Sequence, residues 1–148
     1  MILLVHLLFG AAIGSVVKNI PLAVILAFLS HYFLDCLPHT EYSIDNITKK
    51  QWKKVTPDVL RVALDFLLGI LLIFIFSDNH PITYICSFFA ILPDGLSVLG
   101  SFVKTNISEK YIYFHQGKIH FLRNKKISNF WRILNQVGVV IISILMLK

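Results

Sequence analysis

The chain has 148 residues, a length typical of one domain. Its composition excludes an ordinary soluble domain: 56% of the residues are hydrophobic and 15% are charged, whereas an average domain carries about 25% charged residues. The formal charge of +6 lies mainly in two basic clusters, at residues 49–54 and 123–126. Beside apolar runs such clusters set membrane topology and contact anionic lipid, so we expect a lipid surface and no nucleic-acid partner.

Apolar runs recur along the whole chain, at residues 2–17, 21–37, 58–77, 81–103 and 129–147. We interpret each run as a membrane span and expect an all-α polytopic membrane bundle of about five spans, in one integral membrane domain over residues 1–148. The first two runs have only about 16 or 17 residues, which is the short limit for a hydrocarbon core of roughly 30 Å. No basic segment precedes the first run, which favours a retained span over a signal peptide.

The second run ends with three potential metal ligands, His31, Asp35 and His39. The four-residue spacing places His31 and Asp35 on one face of a helix, and Pro38 stops that helix before His39. Ionisable side chains at the end of a membrane span are costly and usually functional. This stretch is therefore the first candidate for a site.

Two later spans also carry ionisable residues. In the third, Arg61 and Asp65 are four residues apart; they form an ion pair, or Arg61 holds a phosphate oxygen while Asp65 acts as a base or orients a histidine. In the fourth, Pro93 removes a helical hydrogen bond. We expect the helix to be interrupted there, so that Asp94 turns toward a cavity.

The polar segment 104–128 contains two more histidines, His115 and His120, on either side of Gly117. We interpret this segment as a basic loop in which the glycine provides flexibility. The two cysteines, Cys36 and Cys86, lack the spacing of a metal or redox motif and are interpreted as small hydrophobic residues.

Topology places most of these residues at one membrane face. With five spans, the segments 40–57 and 104–128 lie on the side of the N-terminus, and they hold ten of the fourteen lysines and arginines. The positive-inside rule then puts the N-terminus in the cytoplasm of a multi-pass inner (plasma) membrane protein. Eight side chains converge on that face: His6, His31, Asp35, His39, Asp65, Asp94, His115 and His120. We expect His80, at the opposite face, to be a solvated turn residue.

Imidazole and carboxylate ligands without a thiolate cluster favour zinc, manganese or iron, with zinc first. The expected metal ligands are His6, His31, Asp35, His39, Asp94, His115 and His120, and the expected catalytic residues are Asp65 and Arg61. Taken singly, each of these residues has a simpler interpretation as an interfacial residue or an ion-pair partner. Their convergence is what predicts a divalent-metal site.

Four sequence elements resemble those of the small bacterial and archaeal inner-membrane metal-dependent hydrolases, which are related in motif to the zinc-dependent phospholipase C superfamily. They are the histidine at the start of a span (His6), the His-x-x-x-Asp helix (His31 to Asp35), the Leu-Pro-Asp step ending at Asp94, and the His-x-Gly-x-x-His segment (His115 to His120). The order of these elements differs from that in longer family members, and Gly95 stands where the pattern has a second acidic residue. The resemblance implies a metal-dependent hydrolase without naming its substrate.

The leading functional hypothesis is a membrane-bound hydrolase of phosphoesters, with a lipid phosphoester as one substrate class, because the site opens at the level of the lipid headgroups. The second hypothesis is a non-catalytic metal-binding or metal-transport protein. A carrier needs polar residues along both halves of the membrane, and the other half here is almost entirely Leu, Ile, Val and Phe. The third is a structural membrane protein with interfacial ionisable residues. The sequence does not assign an oligomeric state.

Overall fold

A computed structural model describes residues 1–122 and 125–148, so Arg123 and Asn124 of the second basic cluster lie outside the described residues. The described residues form helices and no strand, which confirms the predicted all-α class. Seven α-helices follow in order: α1 (Leu3–Val16), α2 (Ile20–Asp35), α3 (Asp45–Thr48), α4 (Thr56–Phe76), α5 (Pro81–Phe102), α6 (Asn106–Ile112) and α7 (Asn129–Leu147). A 3-10 turn (Trp52–Lys54) precedes α4, and a π-helix (Tyr113–Ile119) follows α6 directly.

Three helices, α4, α5 and α7, are long and apolar enough to cross a membrane, with 21, 22 and 19 residues. The helices α1 and α2 have 14 and 16 residues. At a rise of 1.5 Å per residue they are about 21 and 24 Å long, which is less than the roughly 30 Å of a hydrocarbon core. The predicted count of about five spans is therefore not confirmed.

The short helix α1 occupies the centre of the bundle. It packs against α2, α4, α5 and α7, and Val5, Leu8 and Ala11 on different sides of it have no exposed surface. A helix that is apolar all round is expected to be buried. Most of the surface of α1 is consequently covered by the helices around it.

Small residues allow α1 and α5 to approach closely. Gly10 and Gly14 lie one turn apart on α1 and face Cys86 and Ala90 of α5. A Cβ atom on Gly10 would lie 2.5 Å from Ala90 Cβ and 2.7 Å from the Cys86 carbonyl oxygen, so only glycine fits there. Such small residues at a helix interface are typical of membrane bundles. The fully buried position of Cys86 agrees with its interpretation as a small hydrophobic residue.

The bundle is apolar outside and partly polar inside. Leu67, Phe74 and Leu145 are each more than 60% exposed, whereas His31 and Asp35 have no exposed surface. An apolar exterior around a polar interior is unfavourable in water and favourable in lipid. Large exposed apolar surfaces mark contact with a membrane or another protein. The exposed apolar surface agrees with the length and composition of α4, α5 and α7.

Two predictions about the connections are corrected. The fourth apolar run is not interrupted, since α5 continues through Pro93. Side chains bind carbonyl groups next to this proline: Tyr111 donates its hydroxyl to the Pro93 oxygen at 3.0 Å, and His31 Nδ1 lies 2.8 Å from the Ala90 oxygen. These contacts join this part of α5 to α6 and α2, while the carbonyl that the missing proline N–H leaves without its helical donor is that of Phe89. The segment 104–128, predicted as a loop, contains α6 and the π-helix.

Candidate metal centre

Four side chains from α2, α5 and the π-helix meet inside one end of the bundle, and we call them the first group: His31, Asp35, Asp94 and His115. His31 Nε2 lies 2.9 Å from Asp35 Oδ2, 3.6 Å from Asp94 Oδ1 and 3.0 Å from His115 Nε2. His115 Nε2 lies 3.4 Å from Asp35 Oδ2 and 4.0 Å from Asp94 Oδ1. The structure thus brings together four of the seven predicted ligands.

These separations match those around a four-coordinate metal ion. Ligand bonds of about 2.0–2.2 Å in a tetrahedral site place the ligand atoms roughly 3.4 Å from one another. The nitrogen and oxygen atoms of the first group are 2.9–4.0 Å apart. A buried group of histidine and aspartate side chains that could hold a metal ion is therefore present, while the donor set alone does not select one metal.

Hydrogen bonding fixes the orientation of the His31 ring. The Ala90 carbonyl oxygen, 2.8 Å from His31 Nδ1, can only accept, so Nδ1 carries the hydrogen and donates it. In the neutral ring, Nε2 then presents its lone pair to Asp35 Oδ2 at 2.9 Å. A lone pair and a carboxylate oxygen at this distance repel each other unless a proton or a metal ion lies between them.

The surroundings of the Asp35 carboxylate bear on whether a proton or a metal ion lies between these atoms. Its Oδ2 atom is within 3.4 Å of the Nε2 atoms of His31, His115 and His120. None of these contacts has hydrogen-bond geometry, and Oδ2 is buried without a hydrogen-bond partner among the described residues. Buried polar atoms are rarely left in this state. A metal ion among these four atoms could satisfy all of them at once.

The π-helix explains why two histidines five residues apart face the same site. In a π-helix the backbone hydrogen bond joins residues i and i+5, and the His120 N–H donates to the His115 carbonyl oxygen at 3.3 Å. The two rings therefore lie 5.1 Å apart. In an α-helix the same spacing would separate the two side chains by about 140°. The sequence predicted that these two histidines are neighbours, but attributed this to the flexibility of Gly117 and not to a π-helix.

A second group, Asp35, His39 and His120, adjoins the first and shares its aspartate. His120 Nε2 is 3.1 Å from Asp35 Oδ2, and His39 Nε2 is 3.9 Å from Asp35 Oδ1. Glu41 completes the arrangement, because its Oε1 atom lies 2.7 Å from His39 Nε2 and 2.8 Å from His120 Nδ1. Burial lowers the pKa of His120, but the adjacent carboxylates of Asp35 and Glu41 outweigh it and raise the pKa to about 9.

His6 contacts the centre without belonging to either group. Its Nε2 atom lies 3.2 Å from Asp35 Oδ1, and its ring stacks on His31 with centroids 4.2 Å apart. The α-amino group of Met1 lies 2.6 Å from the same Oδ1 atom. Direct metal ligation by His6 stays a prediction, and the geometry places this residue where it orients Asp35.

Arg61 and Asp65 lie outside both groups and do not pair with each other. Arg61 contacts Asp58 at 3.8 Å and its side chain is 56% exposed. Asp65 accepts hydrogen bonds from the Leu4 N–H at 3.2 Å and from the Tyr42 hydroxyl at 3.1 Å. Asp65 therefore caps the first turn of α1 from a neighbouring helix, a stabilising role for a carboxylate. A catalytic role for either residue stays a prediction.

Sequence reasoning missed two residues that contact the ligands, Glu41 and Ser97. Glu41 follows His39 by two positions in a segment that we interpreted only as a polar loop, and this spacing was its one available signal. Ser97 lies 2.7 Å from His115 Nδ1 through its hydroxyl oxygen and is buried. No sequence motif marks this serine, because its contact with His115 forms only when α5 packs against the π-helix.

Comparisons with protein-family models, with curated proteins and with solved structures find no match for this chain. The resemblance to metal-dependent membrane hydrolases thus stays an expectation based on the four sequence elements.

Replacing Ser97 by alanine is expected to weaken metal binding by roughly 10–100-fold, because hydrogen bonds that orient metal-bound histidines contribute about that much. The control is Ser101→Ala, one turn further along α5, where the hydroxyl bonds to the Val98 carbonyl oxygen of its own helix. Competition of each purified variant with a chromogenic zinc chelator measures the affinity. Equal affinities for the two variants would contradict the role of Ser97.

Proposed function

We propose that the chain is a membrane-embedded metal-dependent hydrolase, with a divalent metal, zinc first, held by the first group. The observation that carries the proposal is the convergence of three imidazole nitrogens on the buried Asp35 Oδ2 without hydrogen-bond geometry. The ligand atoms of the first group would be His31 Nε2, His115 Nε2, Asp35 Oδ2 and Asp94 Oδ1. Asp94 has the only side chain of this group that is substantially exposed, at 34%. A substrate can therefore reach the centre from the side of Asp94.

The proposed location is the cytoplasmic face of an inner (plasma) membrane, with the N-terminus on that side. The first group lies at the end of the bundle from which the basic segments 49–54 and 104–118 extend. Lys18 and Lys148 are at the opposite end, in the connection after α1 and at the end of α7. A lysine- and arginine-rich end of a bundle generally stays in the cytoplasm. In this arrangement α1 and α2 complete the bundle as short helices; α1 is largely enclosed, whereas α2 exposes an apolar face that includes Ile25, Leu29 and Phe33.

A polar cavity of about 520 Å3 opens beside the ligands and supports a hydrolase that acts on polar substrates. Its lining includes His39, Glu41 and Tyr42 from the segment after α2 and Asn129 and Arg132 from α7. A volume of this size is in the usual range for small-molecule sites. The hydroxyl, amide and guanidinium groups suit a phosphoester, and a lipid phosphoester can approach because the cavity lies at the headgroup end.

When bound, a divalent metal ion would polarise a phosphoryl or acyl oxygen and lower the pKa of a water molecule. The chain itself supplies the ligand geometry: the Ala90 carbonyl fixes the tautomer of His31, and Ser97 orients His115. The apolar helices around α1 exclude bulk water from the buried side of the centre. These contributions leave one open side, as catalytic metal sites require.

Metal transport is the alternative function, and the composition of the other half of the bundle disfavours it. Apart from three hydroxyl residues, the buried residues described there are apolar or small, and no histidine or carboxylate is among them; the hydroxyl residues are Thr83, Ser87 and Ser143. In the described part of the chain, both groups of possible metal ligands lie at the basic end. A transported ion would need ligands along the remaining path.

The test is a hydrolysis screen with the zinc-reloaded protein in detergent, using nitrophenyl phosphate mono- and diesters and phospholipids in mixed micelles. We expect turnover of at least one phosphoester, its loss on chelation, and its recovery when zinc is restored. Asp94→Asn should lower the rate by at least about 100-fold, the upper end of the effect of losing a supporting residue.

The matched control is Asp78→Asn, an exposed aspartate in the turn at the opposite end of the bundle. This variant should hydrolyse the substrate at the wild-type rate. Turnover that survives chelation, or an Asp94→Asn protein as active as Asp78→Asn, would contradict the proposed function. If the metal-loaded protein hydrolyses none of the phosphoesters in the screen, that result would contradict the proposed function as well.

A further inference from the structure

The second group and the adjacent Glu41 contain ligand atoms that a metal ion in the first group would not contact. His39 and His120 are 4% and 9% exposed, and both face the fully buried Asp35. The side chain of Glu41 is 22% exposed, and its Oε1 atom is within 2.8 Å of a nitrogen of each of these histidines. Asp35, His39 and His120 thus form a second group of possible ligands next to the first, and Glu41 contacts both of its histidines, His120 through Nδ1.

The His39 ring is oriented in the same way as the His31 ring. Its Nδ1 atom lies 2.7 Å from the Leu37 carbonyl oxygen, which can only accept, so Nδ1 carries the hydrogen. In the neutral ring, Nε2 presents a lone pair to Glu41 Oε1 at 2.7 Å and, more distantly, to Asp35 Oδ1 at 3.9 Å. A proton or a metal ion must therefore lie between Nε2 and these oxygen atoms.

We propose that Asp35 bridges two metal ions, the first held by His31, Asp94 and His115 and the second by His39, His120 and Glu41. A carboxylate has two oxygen atoms. In this chain Oδ2 faces the first group and His120, while Oδ1 faces His39 and also accepts from the Met1 α-amino group at 2.6 Å. Two-metal centres of hydrolytic enzymes hold their ions about 3.5–4 Å apart, a distance that one bridging carboxylate can span. The inference rests on the metal ion of the proposed function, with which it shares Asp35.

The two ions differ in their access to solvent. His39 and Glu41 line the cavity of about 520 Å3, whereas none of the four first-group residues does. The second ion is therefore the one that borders the cavity, contacts a polar substrate there, and exchanges with ions in solution. The first ion would be enclosed by α2, α5 and the π-helix except on the side of Asp94, whose side chain is 34% exposed. A chelator that enters through the cavity should remove the second ion before the first.

The experiment measures zinc per chain by inductively coupled plasma mass spectrometry after the detergent-purified protein has been loaded with zinc chloride and dialysed. We expect two zinc ions in the wild type and one each in Glu41→Gln and Asp94→Asn. The matched control is Asp45→Asn, since Asp45 lines the same cavity but pairs with Lys49 at 3.4 Å. This variant should keep two.

A kinetic measurement on the wild type makes the test independent of whether the variants fold. Zinc transfer to a chromogenic chelator should occur in two phases of equal amplitude, one ion per chain in each.

Each outcome decides a different claim. One zinc ion per chain in the wild type, released in a single phase, overturns the bridged centre and leaves the first metal site standing. Two ions that persist in Glu41→Gln overturn the location of the second. No bound zinc overturns both the second site and the metal centre of the proposed function.

Discussion

We expect the Asp35→Asn protein to purify without bound metal and to unfold at a markedly lower temperature than the wild type. Asp35 is fully buried, and its carboxylate belongs to both ligand groups. Asparagine has nearly the same shape but no charge, so neither group keeps the carboxylate that offsets a bound cation. The substitution also leaves His6, whose Nε2 atom lies 3.2 Å from Asp35 Oδ1, without its charged partner.

The expected loss of stability is about 3–5 kcal/mol, the usual cost of removing one partner from a buried charged cluster. Circular dichroism at rising temperature measures it, and mass spectrometry measures the metal. Chelation should lower the unfolding temperature of the wild type, because a metal that binds only the folded state stabilises it. The same treatment should leave the Asp35→Asn protein unchanged.

Asp58→Asn is the control, because it also replaces a buried aspartate by asparagine. Asp58 is 1% exposed and accepts hydrogen bonds from the backbone N–H and the side-chain amide of Asn46, away from both groups. This variant should lose stability but keep its full metal content. An Asp35→Asn protein with the metal content of the wild type would contradict the role assigned to Asp35.

Gly10→Ala is expected to destabilise the bundle by about 1–3 kcal/mol, the range for overpacked interiors. The new Cβ would lie 2.5 Å from Ala90 Cβ and 2.7 Å from the Cys86 carbonyl oxygen, and neither atom belongs to a flexible side-chain end. The helices α1 and α5 must therefore separate. Since His31 bonds to the Ala90 carbonyl oxygen, we also expect weaker metal binding.

Gly138→Ala is the matched control, because a Cβ atom on Gly138 meets nothing within 4 Å. Alanine favours the helical state by about 1 kcal/mol relative to glycine, so this variant should be as stable as the wild type or slightly more stable. Thermal unfolding followed by circular dichroism compares the two. A Gly10→Ala protein as stable as Gly138→Ala would show that α1 does not pack against α5 in this way.

The sequence predicted which histidine and aspartate side chains lie together better than it predicted the architecture that holds them. The four-residue spacing of His31 and Asp35 predicted their contact, because helical geometry fixes it locally, and the two side chains lie 2.9 Å apart. The apolar runs predicted the five longer helices to within a few residues. Hydropathy could not show that α1 is enclosed by its neighbours, since a buried helix and a lipid-facing helix are equally apolar.

Contacts between distant segments were beyond the reach of the sequence. The spacing of Arg61 and Asp65 suggested an ion pair, but Asp65 instead accepts from the Leu4 N–H, a donor that every helix leaves unsatisfied in its first turn. Glu41 was hidden because its partners, His39 and His120, are brought together only by the fold. Pro93 suggested a break in α5, but the helix continues through it. The contacts of Tyr111 with the Pro93 oxygen and of His31 with the Ala90 oxygen depend on the fold and could not be predicted from the sequence.

X-ray absorption spectroscopy at the zinc edge of the reloaded, detergent-purified protein tests the central claim most directly. The two groups predict nitrogen and oxygen ligands at about 2.0–2.2 Å, with the outer-shell scattering of imidazole rings and no sulfur at about 2.3 Å. Cys36, next to Asp35 in the chain, is the nearest source of sulfur in sequence. A spectrum with a sulfur shell, or one without imidazole scattering, would contradict a metal centre built from these histidines and aspartates.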